Sequence, residues 1–194
     1  PAQGGKNAAA VGAAAMAAPA PGVGVKRERQ EAGDAGAEAA GQAQPERKIP
    51  RPWLPVQVEG ALAYVGDPHF AQGDGEVALT ALEASLRATV RLDVVAREDA
   101  VRQFGVLAGP LAATGDYLIP TGLDPDLDVA MANCVRHAVA LLQARYGMDP
   151  SLALAYLSAA TDFDISQVVD VVKGVHARIR RSDFDAVDGP GGPR

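Results

Sequence analysis

The first fifty residues contain no Leu, Phe, Tyr, Trp or Cys, and more than half of them are Ala, Gly or Pro. Such small side chains bury too little apolar area to offset the entropy of ordering a backbone. Every leucine and every aromatic residue lies beyond Pro50, so a core has to be built between Trp53 and Asp188. The 194 residues therefore read as a low-complexity, disordered segment over 1–52, one domain over 53–188 and a flexible tail over 189–194. Ala8–Ala18 has helical propensity but no face to pack.

Charge and cysteine usage narrow the function classes. A formal net charge of −6 argues against nucleic acid or an anionic membrane as partner. The one basic cluster, Lys26-Arg27-Glu28-Arg29, is broken by a glutamate and reads as solvated tail. Cys134 is the single cysteine, which leaves no internal disulfide and fits a reducing compartment. The Ala/Gly run from Ala8 to Gly24, interrupted by Pro19 and Pro21, is too weakly apolar to span a bilayer or to serve as a signal peptide.

Beyond Trp53 the periodicity alternates between two templates. Leu54–Val58 and Ala61–Val65 read as short strands, and Leu86–Val94 as a half-buried strand with Arg87, Thr89, Arg91 and Asp93 on its wet face. Val77–Ala84 fits helix or strand. Asp124-Pro125 is a helix-start signal, after which Leu127, Met131, Cys134, Ala138, Leu141, Leu142 and Tyr146 recur at helical spacing until Gly147 can close the helix. Asp149-Pro150 starts a second helix that runs to about Ala160. The β-branched stretches Ile165–Val172 and Val175–Ile179 read as extended. The expected fold class is α+β, a β-rich domain with two adjacent helices.

Chemistry concentrates in Gly66–Glu76, GDPHFAQGDGE, a glycine-rich loop between apolar segments. It carries Asp67, His69, Gln72, Asp74 and Glu76 within ten residues. Carboxylates with one imidazole suit Zn²⁺ or a similar divalent ion, and Asp67 and His69, two apart, point to one side of an extended chain. Glu76 could then take a proton from a bound water. From spacing alone the run reads rather as a polar hairpin in which Asp caps turns and Gly supplies positive φ, because three candidate ligands without a distant partner do not define a site.

The run from Leu54-Pro-Val-Gln-Val through GD-x-H-x-x-QGDGE resembles the acetamidase/formamidase family. The resemblance continues through Thr121-Gly-Leu-Asp-Pro-Asp-Leu-Asp128, Arg145-Tyr-Gly-Met, Leu154–Ala160 and Asp164–Asp170. It covers about Leu54 to Phe184, the C-terminal half of the family's usual length. It implies a cytoplasmic, homo-oligomeric hydrolase that turns short carboxamides into carboxylate and ammonia with a divalent metal, zinc in the first instance. By the same resemblance Asp67 and His69 are metal residues, Glu76 is the catalytic acid/base, and Gln72 and Asp74 contact substrate or support the metal residues. No other cofactor is implied, and the partner is a small amide, with no nucleic acid and no membrane.

The family's upstream motif, of the form GGNMD, has only a damaged likeness at Gln3–Ala8, where Lys6 intrudes and no acid follows. Residues 8–52 have the composition of a GC-rich gene read out of frame. A non-catalytic fragment or binding module that keeps the fold is accordingly the alternative function.

The other candidates carry structural readings. His137 sits beside the apolar face of the first helix, and His176 reads as an exposed strand residue. Cys134 reads as core, Ser166-Gln167 as turn, cap or site-facing, and Arg178, Arg180 and Arg181 as a solvated face. The sequence has no P-loop, dinucleotide fingerprint or cysteine-based zinc pattern.

Overall fold

The computed structural model describes residues 51–188. Expectations for residues 1–50 and for the tail 189–194 lie outside the described residues. A five-stranded antiparallel sheet has the order β1 (Arg51–Trp53), β4 (Leu111–Ala113), β5 (Tyr117–Asp124), β7 (Lys173–Arg180), β6 (Asp162–Gln167). A separate two-stranded ribbon joins β2 (His69–Ala71) and β3 (Leu82–Glu83). The helices are α1 (Arg97–Phe104), α2 (Leu127–Tyr146), α3 (Pro150–Ala160) and a final turn α4 (Asp185–Asp188), entered through a 3-10 turn at Arg181–Phe184. The chain is thus α+β, as expected, and β1 takes in Arg51 and Pro52 ahead of Trp53.

The long helix packs on one face of the sheet. Val175, Ala177 and Ile179 alternate along β7 and are fully buried against Ala130, Cys134, Ala138, Leu141 and Leu142 of α2. Ala153 and Leu157 bring α3 into the same core, and Phe184 closes it by stacking on Tyr146 (centroids 4.1 Å) and meeting Tyr156 edge-on at 5.1 Å. Contact between α2 and β5 is unusually close at Gly122. A Cβ there would lie 2.1 Å from Ala130 O and 2.2 Å from Cys134 N, so no other residue fits without moving backbone.

The helix termini follow their sequence signals with one displacement. Asp126, not Asp124, caps α2, with Oδ1 accepting from Asp128 N–H and Val129 N–H at 2.9 and 3.0 Å. Asp124 ends β5 and accepts from Asp126 N–H, so the Asp-Pro pair forms the turn before the cap. At the other end Gly147 (φ 64°) takes the left-handed conformation and donates to Gln143 O at 2.9 Å. Asp149 caps α3 with Pro150 in its first turn.

Several expected strands are absent. Leu54–Val58, Ala61–Val65 and Leu86–Val94 hold no regular structure, and Val77–Ala84 forms turns that lead into β3. A strand needs an edge to pair with and a surface for its apolar side. These segments find neither among the described residues, and Leu62 (95% exposed) and Val94 (93%) stand in solvent. The extended reading of Ile165–Val172 also stops short. After Gln167 the chain turns, with Asp170 and Val171 at φ 62° and 66°.

Cys134 is core, as the helical spacing indicates. It is fully buried, its Sγ is 3.4 Å from Pro120 O, and burial pushes its thiol up to about 12. The native chain is therefore expected to ignore an aromatic disulfide reagent at pH 8 and to release one thiol equivalent only on unfolding. Stoichiometric labelling of the native chain within minutes would place Cys134 at an accessible position instead.

Candidate functional site

The backbone of the loop is shaped around its acids. Asp67 (φ 56°) and Glu76 (φ 42°) both occupy the left-handed region, at a cost of roughly 1–2 kcal/mol for a residue with a Cβ. Gly75 (φ 93°) supplies the turn between Asp74 and Glu76. The turn is then fixed to the free edge of β6. Gly75 N–H donates to Ser166 O at 3.2 Å, and Val168 N–H donates to Gly75 O at 2.9 Å. The loop thus makes an edge contact with the main sheet.

His69, the first residue of β2, is the centre of the site. Its Nδ1–H donates to Gln72 Oε1 at 3.0 Å, which leaves Nε2 facing Asp67 Oδ1 at 3.1 Å and Glu83 Oε2 at 3.0 Å. The hydrogen bond to Gln72 and the carboxylates of Glu83 and Asp67 hold the imidazole pKa above its ordinary value against desolvation. Glu83 reaches the ring because β3 pairs with β2 in the register His69↔Glu83. The carboxylates of Asp67 and Glu83 are largely open to solvent.

Glu76 is placed differently. Its side chain is only 7% exposed and Oε1 lies 4.0 Å from His69 Nδ1. Desolvation, with Asp170 nearby, pushes its carboxyl above the usual glutamate range despite the opposing influence of His69. A shielded carboxyl with a raised pKa, beside a ring facing two other carboxylates, has the constitution of a proton-transfer group.

Of the five candidates from the sequence, the structure brings Asp67, His69, Gln72 and Glu76 together and sends Asp74 elsewhere. Asp74 groups with Asp164 and His176 across the turn. Glu83 is the residue that sequence reasoning missed. It lies outside the polar loop, and only the β2–β3 register reveals it. The exposed reading of His176 is corrected: the residue is 8% exposed, and Nδ1 is 2.8 Å from Ser166 Oγ. It sits on the sheet face opposite Val175 and Ala177, where the turn at Asp74 covers it. Arg178 is likewise half-buried, pairing through Nε with Asp164 at 2.7 Å, instead of lying on a solvated face. His137 packs through Nδ1 against Thr121 O at 2.6 Å, as its position on α2 suggests.

Fold and site define an α+β chain that presents a carboxylate–imidazole centre on a loop held at a sheet edge. The model of the acetamidase/formamidase family matches residues 47–180, and the chain belongs to that family. Three crystal structures are similar to it. They are an acetamidase from Bacillus halodurans (20% identity over 62% of this chain and 39% of that one, TM-score 0.48), a predicted acetamidase/formamidase from Thermoanaerobacter tengcongensis (18%, 61% and 37%, TM-score 0.46) and an acetamidase from Yersinia enterocolitica (19%, 60% and 33%, TM-score 0.46). This chain spans under two-fifths of the length of each. No curated protein matches it. Among the described residues no helix is long and apolar enough to cross a membrane.

Proposed function

We propose that the chain carries the hydrolytic centre of a short-chain amidase, acting on amides of formamide or acetamide size. The observation that supports this most is a shielded Glu76 carboxyl 4.0 Å from an imidazole that faces two other carboxylates. One ligand atom from each of Asp67, His69 and Glu83 lies within 4.8 Å of the others. With Nδ1–H donated to Gln72, the Nε2 lone pair and the two anionic oxygens form a donor set that suits a divalent cation, with zinc the first choice. Bound there, the cation would polarise the amide carbonyl and acidify the attacking water. Glu76 would be the group that takes a proton from the attacking water and passes it to the amide nitrogen as the C–N bond breaks and ammonia leaves. Gln72 keeps the His69 ring in the orientation that this requires.

A test is ammonia release from formamide and acetamide by the purified chain, with metal content measured by mass spectrometry before and after chelation. Release that disappears with the chelator and returns with Zn²⁺ is expected. Absence of metal-dependent release from any short amide would overturn the catalytic reading. The second reading, a non-catalytic module that keeps the family's fold, draws on the openness of Asp67 and Glu83. Stoichiometric metal binding without ammonia release would favour it. A cytoplasmic location and self-association belong to the same proposal and are read by fractionation and by light scattering.

The Gln72 role has its own measurement. Gln72→Leu is expected to weaken Zn²⁺ affinity by about 10–100-fold, the usual effect of losing a partner that orients a ligand. Glu83→Gln is expected to weaken it at least as much. Unchanged affinity in Glu83→Gln would remove Glu83 from the donor set.

A further inference from the structure

We infer a second divalent-cation site on the far side of the same turn, formed by Asp74, Asp164 and His176. One ligand atom from each lies within 4.8 Å of the others. Asp164 on β6 and His176 on β7 are directly paired across the sheet and so share a face. The turn pinned by Gly75 lays Asp74 over them.

His176 distinguishes this cluster from a patch of surface acids. The residue is 8% exposed, yet its Nε2 makes no hydrogen bond and faces Asp164 Oδ2 at 3.9 Å. The other nitrogen is held by Ser166 Oγ at 2.8 Å. Ser166 Oγ can accept from Nδ1–H, and in that tautomer the Nε2 lone pair is free to take a cation beside Asp164. Fixing one ring nitrogen so that the other can coordinate is how protein imidazoles are prepared as ligands. Arg178 occupies one side of Asp164, at 2.7 Å, and also reaches Asp162 at 3.3 Å. Asp74 makes no hydrogen bond among the described residues. One imidazole and two carboxylates suit Zn²⁺ or Mn²⁺. A cation there would tie the turn that carries Glu76 to both β6 and β7.

The test separates this site from the one around His69 by working in the His69→Ala chain. Zn²⁺ and Mn²⁺ are titrated calorimetrically, and the histidine rings are followed by nitrogen-resolved NMR. The expected result is one saturable equivalent, with the His176 ring nitrogen shifting and that of His137 staying in place. Asp74→Asn added to His69→Ala should lower the affinity at least tenfold, with His176→Gln doing the same and the thermal midpoint checked for each. Should His176→Gln fail to fold, Asp74→Asn decides, because Asp74 is exposed and supports no core contact. No saturable binding in His69→Ala, or binding indifferent to Asp74→Asn, overturns the inference. So does rapid labelling of Ser166 by a fluorophosphonate, which would make His176 a base toward that hydroxyl. The proposal stands or falls independently of amide hydrolysis, since its readout is binding in a chain whose first site has been removed.

Discussion

Glu76→Gln is expected to lower ammonia release by roughly 10²–10⁴-fold, the range that general acid–base catalysis contributes, while metal content and thermal midpoint stay as in the parent chain. The carboxamide is nearly isosteric and keeps a side chain that is 7% exposed filling the same space, but it cannot accept the proton. Its backbone conformation, φ 42°, is as strained for Gln as for Glu, so the folded state is not penalised further. His69→Ala should instead lose the metal held with Asp67 and Glu83, and activity with it, while the equivalent at Asp74, Asp164 and His176 remains. Asp74→Asn should cost less turnover than either. Near-normal turnover in Glu76→Gln would assign the proton transfer to another group. Loss of metal in Glu76→Gln would make Glu76 a ligand.

The largest expected effect on folding is at Gly122. A methyl group there meets the backbone of α2 at Ala130 O and Cys134 N, not the movable end of a side chain. Relief requires α2 to move off β5, and that opens the layer formed by Ala130, Cys134, Val175 and Ala177. Gly122→Ala should therefore cost on the order of 3–5 kcal/mol, beyond ordinary overpacking. In a chain of this size that lowers the thermal midpoint by about 10 °C or more. A circular-dichroism melt of Gly122→Ala within a few degrees of the parent would show that the helix can shift without loss.

The helical half of the fold was legible because its signals are local. Asp149-Pro150, Gly147 and the spacing from Leu127 to Tyr146 each act within a turn or two of their own positions, and the structure keeps them. Strand assignments depend on partners: Val175–Ile179 holds as β7, while elsewhere the reading fails in both directions. Leu86–Val94 alternates well but has no edge to join among the described residues. β5 contains Pro120 and Gly122, which argue against a strand, yet β4 and β7 flank it. Its neighbours α1 and β4 were also missed, α1 because it is short and polar over most of its length. At the site, the polar loop announced four groups that the structure brings together. Glu83 and His176 were not legible because only strand register and the pinned turn bring them to their places.

The two backbone hydrogen bonds at Gly75 have a consequence for how the molecule opens. They join a segment with little buried apolar surface to an edge strand, whereas α2, β5 and β7 share the core. Segments joined so sparingly detach in their own sub-global unit, at a free energy below that of complete unfolding. Amide hydrogens at Gly75 and Val168 should then exchange with solvent at rates that barely respond to low denaturant. Those along β7 and the middle of α2 should exchange only when the whole sheet comes apart. The acids would in that way be able to melt and re-form many times within the lifetime of one folded sheet.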